Sequence, residues 1–258
     1  MTHDRVIQVT VSAGVATLTL DSPANRNALS RAMRGQLRDA LQTALADDAV
    51  RAIVLDHTGR VFCSGMDLAE AAGGSSQDQG VNEFPELLQL VWSSPKPVVA
   101  VVRGPARAGG VGLVAACDVV VAASSAGFAF SEVRLGLVPA VISAVVLPRM
   151  SPPVAHRLML TGEVFDAATA ASGGLVDLVA ADDEVDAVLA GQLAALTAGA
   201  PAALAETKRL LRTQQPELHF GDLLQLSARF FASEEGQEGI ASFREKRPAR
   251  WVPAADEA

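Results

Sequence analysis

Residues 106–118 read "ARAGGVGLVAACD", with glycines at 109, 110 and 112 among small aliphatics and an aspartate at the end. Glycine loses more backbone freedom on folding than any other residue, so such a cluster needs a reason. Either the chain bends unusually, or something must approach its backbone closely. A buried-strand run, "PVVAVV", lies upstream at 97–102, and a second, "DVVVAA", follows at 118–123. The glycines open a helix-like segment between the two. Strand, helix, strand argues a mostly parallel sheet with helices packed on it.

Working outward, "RAIVLD" at 51–56 is a third buried-strand run. "VIQVTVSAGVATLTLD" at 6–21 alternates polar and apolar residues around Ser12-Ala13-Gly14, which predicts a hairpin. Ser30 is placed to cap a helix carrying Leu29, Met33, Leu37, Leu41 and Leu45 on one apolar face. Beyond about residue 140 the segments read as successive helices, with one strand-like run at 174–180 and a last helical pair over 217–246. The expected organisation is an α/β core over 1–199 with a helical C-terminal region over 200–258. The loop "GGSSQDQG" at 73–80 is the best candidate for local disorder.

Composition narrows the function. Half of the 258 residues are hydrophobic, enough for a sizeable core. Twenty-nine acidic against 21 basic residues leave a net charge of −8, which argues against nucleic acid as a partner. No apolar run reaches the ~18 residues of a membrane span, and the N-terminus lacks a signal pattern, so a soluble cytoplasmic protein is expected. Cys63 and Cys117 sit in apolar or glycine-rich stretches and read as buried reduced thiols. No Cys/His spacing suggests a metal site.

Three stretches carry candidate chemistry. "VFCSGMDLAE" at 61–70 places Ser64-Gly65 between a strand end and a helix-like segment, freeing backbone N–H groups; it also reads as an ordinary turn with Asp67 as cap. The glycines at 109–112 do the same, without the spacing of a phosphate-binding loop. Two such starts can converge on one oxygen, the geometry of an oxyanion hole. "FAFSEVRLGLVPAVIS" at 128–143 sets Glu132 among apolar residues, where it either pairs with a cation such as Arg134 or sits desolvated and fit for proton transfer. The four histidines are scattered, and Ser93-Ser94-Pro95-Lys96 lacks the companion motifs of an acyl-transfer enzyme. Nothing reads as a covalent nucleophile.

Together, "SPANRNALS" (22–30), "FCSGMDL" (62–68), "GPARAGGVGLVAACD" (104–118), "FAFSEVRLGLVPA" (128–140), "LTGEVFDAATAASGGLVD" (160–177) and "EEGQEGIASFREKRPARW" (234–251) resemble the crotonase superfamily, the enoyl-CoA hydratase/isomerase family. The resemblance spans essentially the whole chain. It implies a ββα-spiral core with a helical C-terminal trimerisation region, and homotrimers or hexamers. It also implies an acyl-CoA thioester as substrate, coenzyme A being part of that substrate and no separate cofactor being needed. By position, the oxyanion amides map to Met66 and Gly109 and the acid to Glu132. CoA and substrate contacts map to Asn25, Arg26, Ala28, Ser64, Gly65, Asp67, Leu68, Gly110 and Pro139, with Phe243 and Lys246 from the C-terminal helix.

The sequence departs from the pattern at Gly112, where two-glutamate hydratases carry their first acid. In this the chain resembles a bacterial subgroup like methylglutaconyl-CoA hydratases. The resemblance implies hydration of a 2-enoyl-CoA, and the volume vacated at 112 suggests room for a branched acyl group. Double-bond isomerisation and non-catalytic acyl-CoA binding stand as the alternatives.

Overall fold

The structure, a computed structural model, describes residues 5–67, 70, 83–213 and 233–253. The predicted hairpin is present as β1 (Ile7–Ser12) and β2 (Val15–Leu20), turned through left-handed Ala13 and Gly14. Strand β2 then pairs in parallel with β3 (Ala52–His57), β3 with β4 (Val98–Val102), β4 with β6 (Val119–Ala123), and β6 with β9 (Leu178–Ala180). The last of these is shorter than the run expected at 174–180, because the Leu175 and Val176 amides donate to Ala170 O, at 2.9 and 3.3 Å, rather than to β6. Strands β5 (Ala106–Arg107), β7 (Gly127–Ala129) and β8 (Phe165–Asp166) form a second, smaller sheet.

The continuous apolar runs of β3, β4 and β6 follow from burial on both faces. Ile53, Leu55, Val98, Ala100, Val102, Val120 and Ala122 face the main core. Their alternates Val54, Val99, Val101, Val121 and Ala123 face the helix α7 (Val185–Ala198). On the main-core side, α1 (Arg31–Ala46) buries Met33, Leu37, Leu41 and Ala44, and the Ser30 hydroxyl accepts from the Met33 amide at 3.2 Å as its cap. Helix α2 (Glu83–Trp92) and helix α3 (Gly109–Ala116) complete this layer. All eight residues of α3 are buried, as expected for a helix without a polar face. Helices α4 (Ala140–Val146), α5 (Pro152–Thr161) and α6 (Ala167–Ser172) follow β7.

The position of the expected boundary, 199/200, lies in the turn between α7 and α8 (Pro201–Arg212), and α8 is pinned to the sheet by charge. Asp118, at the start of β6, accepts from Lys208 Nζ at 2.7 Å, from Arg212 Nη2 at 2.9 Å and from the Val98 amide at 2.8 Å. Burial pushes the Lys208 ammonium below its ordinary value, and Asp118 opposes that shift. The Arg212 guanidinium lies 3.4 Å over the Trp92 ring. Farther on, α9 (Glu234–Glu245) turns its Glu238 toward Arg247 and the Arg250 amide. The Arg247 hydrogen bond holds the Glu238 carboxyl down to about 2. Trp251 Nε1 then donates to Ala198 O at 2.9 Å, tying this segment to the end of α7. The first member of the helical pair expected over 217–246 lies outside the described residues, as do the loop 73–80, Leu68, His3 and His219.

Removing one member of a buried ion cluster strands the others. Asp118→Asn keeps the shape but leaves Lys208 and Arg212 without a counter-charge, so urea unfolding is expected to show a loss of about 3–5 kcal/mol. An unchanged midpoint and slope would contradict this role for Asp118.

Candidate active site

Three chain segments run in parallel and stop at one edge. Cys63 bridges Ala106, and Ala106 pairs with Phe128 in β7. Each segment then breaks from its pairing. Met66 comes three residues after Cys63, Gly109 three after Ala106, and Glu132 four after Phe128. The Ala108 amide, donating to Ala129 O at 3.0 Å, extends the second pairing almost to the break. Carboxyl ends of parallel strands are where ligands settle in α/β folds, since side chains and free amides gather there.

The local backbone makes these ends fit together. Gly65 lies at φ +95°, and a Cβ there would stand 3.1 Å from the Ala108 Cβ and 3.5 Å from the Gly109 nitrogen. A Cβ on Gly110 would come within 2.6 Å of the Cys63 carbonyl oxygen, so only glycine lets α3 start this close to the neighbouring segment. Gly109 is the first residue of α3, where the N–H has no intrahelical acceptor. Among the described residues neither the Gly109 nor the Met66 amide has a hydrogen-bond partner. Both remain available to an outside acceptor.

On the far side of Met66 lies the segment 25–29. Leu29 bridges Met66, the Leu29 amide donates to Gly65 O at 2.8 Å, and the Ser64 amide donates to Arg26 O at 3.1 Å. Thus Asn25, Arg26 and Ala28 stand beside Ser64, Gly65 and Met66. Arg26 is exposed and left-handed (φ 61°), and Ala28 is buried. Asp67 Oδ1 accepts from the Glu70 amide at 3.4 Å, as its capping reading expected.

Glu132 opens the short 3-10 turn Glu132–Leu135. Its Oε2 is buried with no hydrogen-bond partner among the described residues. Burial raises its carboxyl above the ordinary 4.5. The pairing with Arg134 left open by the sequence does not form: Arg134 Nε donates to Thr161 O at 3.1 Å. A desolvated, unpaired carboxylate is thermodynamically costly and suited to taking up a proton.

Position 112 corrects one expectation. The volume beside Gly112 is not vacant. A Cβ there would meet Ile142 Cγ2 at 2.5 Å and Phe84 Cζ at 3.6 Å, and both side chains are buried. Ile142 of α4 has taken the space, so it offers no room for a branched acyl group.

Of the other expected contacts, Pro139 immediately precedes α4 and is half-buried. Lys246 is exposed and left-handed at the end of α9, and the Phe243 side chain lies outside the described set. Cys63 and Cys117 are free, and burial pushes both thiols up to about 12, which removes them as nucleophiles.

Two residues that hold the site are not singled out from the sequence, Asn27 although it lies within the stretch 22–30 and Arg34 because no motif contains it. Asn27, buried and at φ 52°, accepts from the Ser22 amide at 2.7 Å and donates to Thr58 O and Val61 O at 3.0 and 2.8 Å. It ties the 22–29 turn to the approach of the 63–66 segment. Arg34, 3% exposed, donates from Nη1 to Leu29 O at 2.6 Å and pairs with Glu83 at 3.1 Å. One guanidinium therefore joins the strand beside Met66 to the helix that carries Phe84. The available clue was a charge next to the apolar stripe of α1.

A sequence model described as enoyl-CoA hydratase/isomerase matches residues 10–253. The chain is 35% identical over 241 residues to enoyl-CoA hydratase ACTT6 of Alternaria alternata, spanning 92% of this chain and 80% of that one. It is 34% identical over 257 residues to the mitochondrial enoyl-CoA hydratase domain-containing protein 3 of Rattus norvegicus, spanning 92% of this chain and 81% of that protein. The solved enoyl-CoA hydratase of Mycobacterium smegmatis superposes with a TM-score of 0.89 at 31% identity, over 96% of this chain and 99% of that one. The chain belongs to the enoyl-CoA hydratase/isomerase family, the crotonase superfamily its motifs resemble, and is an enzyme of that family.

The contact at Gly112 can be measured. Gly112→Ala is expected to cost about 1–3 kcal/mol of stability by overpacking against Ile142. In an Ile142→Ala background, where Cγ2 is gone, the same change is expected to cost less. A double-mutant cycle by thermal or urea unfolding reads the difference, and strict additivity would show that the two positions do not touch.

Proposed function

We propose that the protein hydrates a 2-enoyl-CoA thioester. The Met66 and Gly109 amides receive the thioester oxygen as negative charge builds on it. Glu132 accepts a proton from the attacking water. The observation that carries this reading is the placement, at one sheet edge, of two amides and one buried carboxylate oxygen that have no hydrogen-bond partner among the described residues. The amides supply what an enolate-like oxygen requires, and the loss of one such donor costs ~2.7–4 kcal/mol in acyl-transfer enzymes. Asn25, Arg26 and Ala28, beside the Met66 segment, and Lys246 with Phe243 are assigned to the CoA portion.

Glu132 works alone because position 112 carries no side chain. The proton it takes from water is then the one it can return to the α-carbon, so that one carboxyl serves both halves of a syn addition. The same single acid suits moving a double bond by removing and returning a proton, which makes isomerisation the second reading.

A general base contributes about 10²–10⁴-fold, so Glu132→Gln is expected to lose hydration by that factor while still binding CoA esters. Loss of enoyl-thioester absorbance on crotonyl-CoA, with isothermal titration of butyryl-CoA beside it, checks both halves. Near wild-type turnover in the variant would remove Glu132 from the mechanism. Hydration absent from the wild type, with 3-enoyl-CoA converted to 2-enoyl-CoA, would favour the isomerase.

The pH dependence has a definite sign. Burial lifts the folded-state Glu132 carboxyl above 4.5, so the working carboxylate is present only above that raised value. kcat/KM is expected to rise with pH through an apparent pKa above that of an ordinary glutamate. The contribution of Glu132 to stability runs the other way. The folded state holds a proton that the unfolded chain has already released, so stability falls as pH climbs from 4.5 through the raised value. An acid limb at or below 4.5 in kcat/KM would contradict the assignment.

A further inference from the structure

Phe84 and Ile142 stand on two different helices yet meet over the same glycines. A Cβ on Gly109 would lie 3.2 Å from Phe84 Cζ, and a Cβ on Gly112 would lie 3.6 Å from that atom and 2.5 Å from Ile142 Cγ2. Both side chains are almost fully buried, at 5% and 3% exposure. Together they form a wall beside the free amide of Gly109.

Outside the same two helices runs a mostly apolar groove of about 320 Å³. Pro85, Leu88 and Trp92 of α2 line one bank and Val141, Ala144 and Val145 of α4 the other. Phe84 and Ile142 belong to the inward faces of these helices, next in sequence to Pro85 and Val141 of the groove. Phe84 and Ile142 therefore stand between the glycines of α3 and the outer groove.

We propose that Phe84 and Ile142 are specificity-determining residues that end the acyl pocket, making the enzyme selective for short acyl chains. The groove beyond them is the path a longer chain takes when either is cut back. This rests on the assignment of the Gly109 amide to the thioester oxygen. A chain leaving a carbonyl held there meets the phenyl ring before it reaches the groove. A longer tail must either displace two packed side chains or fold back, and neither is available without loss of packing.

The test compares kcat/KM for crotonyl-CoA and 2-decenoyl-CoA in the wild type, Phe84→Leu and Ile142→Ala. A change of one methylene in an apolar pocket alters selectivity by about 10–200-fold, so the wild type is expected to favour crotonyl-CoA by at least tenfold. Each variant is expected to shift the decenoyl-to-crotonyl ratio upward by at least about tenfold, whatever it does to absolute rates. Using two separate sites guards against one variant failing to fold. Equal wild-type rates on both esters, or variants that scale both rates together, would overturn the proposal. If the wild type hydrates neither ester, the hydratase reading fails by itself. The affinities of butyryl-CoA and decanoyl-CoA then decide the stop: tighter butyryl binding that reverses in the variants sustains it, and equal affinities overturn it.

Discussion

The close approach of α3 to the segment before it is the contact on which the rest depends. Gly110 brings the first turn of that helix against the Cys63 carbonyl at a distance no side chain tolerates, and Gly65 brings its own backbone to the Gly109 nitrogen. That approach aligns the segments ending at Met66 and Gly109 and leaves their amides turned away from every acceptor among the described residues. A helix N-terminus carries free N–H groups in any protein. Here the parallel pairing of Cys63, Ala106 and Phe128 sets a second free amide and one carboxylate beside it. Chemistry follows from registration, because each of the three groups is a few residues past a paired strand and none is held by a flexible arm.

Around that edge the molecule is stiff for reasons that are mostly apolar. The central strands are buried on both faces, and α3 is buried on every side. The polar groups enclosed by this packing are placed where they tie elements together. Asp118 joins β6 to α8 through two cations, Asn27 joins the 22–29 turn to the approach of the 63–66 segment, and Arg34 joins Leu29 to the start of α2. Glu132 differs: Arg34 also leaves Nη2 unpartnered but is held through its other nitrogens, whereas the buried Oε2 of Glu132 has no partner among the described residues. Such a group lowers stability where it stands, and a reacting proton is what it can gain in exchange.

Much of this is legible in the residues themselves. Alternation gives the β1–β2 hairpin, leucine spacing gives α1 with its Ser30 cap, and apolar runs give β3, β4 and β6, because each depends on neighbours in sequence. The two glycine-bearing stretches point to free amides for the same local reason. What depends on distant contacts is hidden. Nothing near Glu132 tells that Arg134 turns to Thr161 instead, and nothing near Gly112 tells that Ile142, thirty residues on, fills its space. Arg34 looks like a surface charge until α1 is packed, when it proves to be among the most buried polar groups. Local pattern predicts elements, whereas occupancy of a volume is settled only by the elements that compete for it.

The central claim is that the Met66 and Gly109 amides converge on a thioester carbonyl. Its most direct test is the carbonyl stretching frequency of butyryl-CoA labelled with carbon-13 at the thioester carbon, read by isotope-edited infrared difference spectroscopy. The saturated ester binds without turnover, so the spectrum reports the ground-state field of the site alone. Two backbone donors in a dry pocket polarise the carbonyl more than water does. The account predicts a shift to lower frequency on binding, retained in Glu132→Gln. A bound ester whose carbonyl frequency matches that of the free ester in water would contradict it.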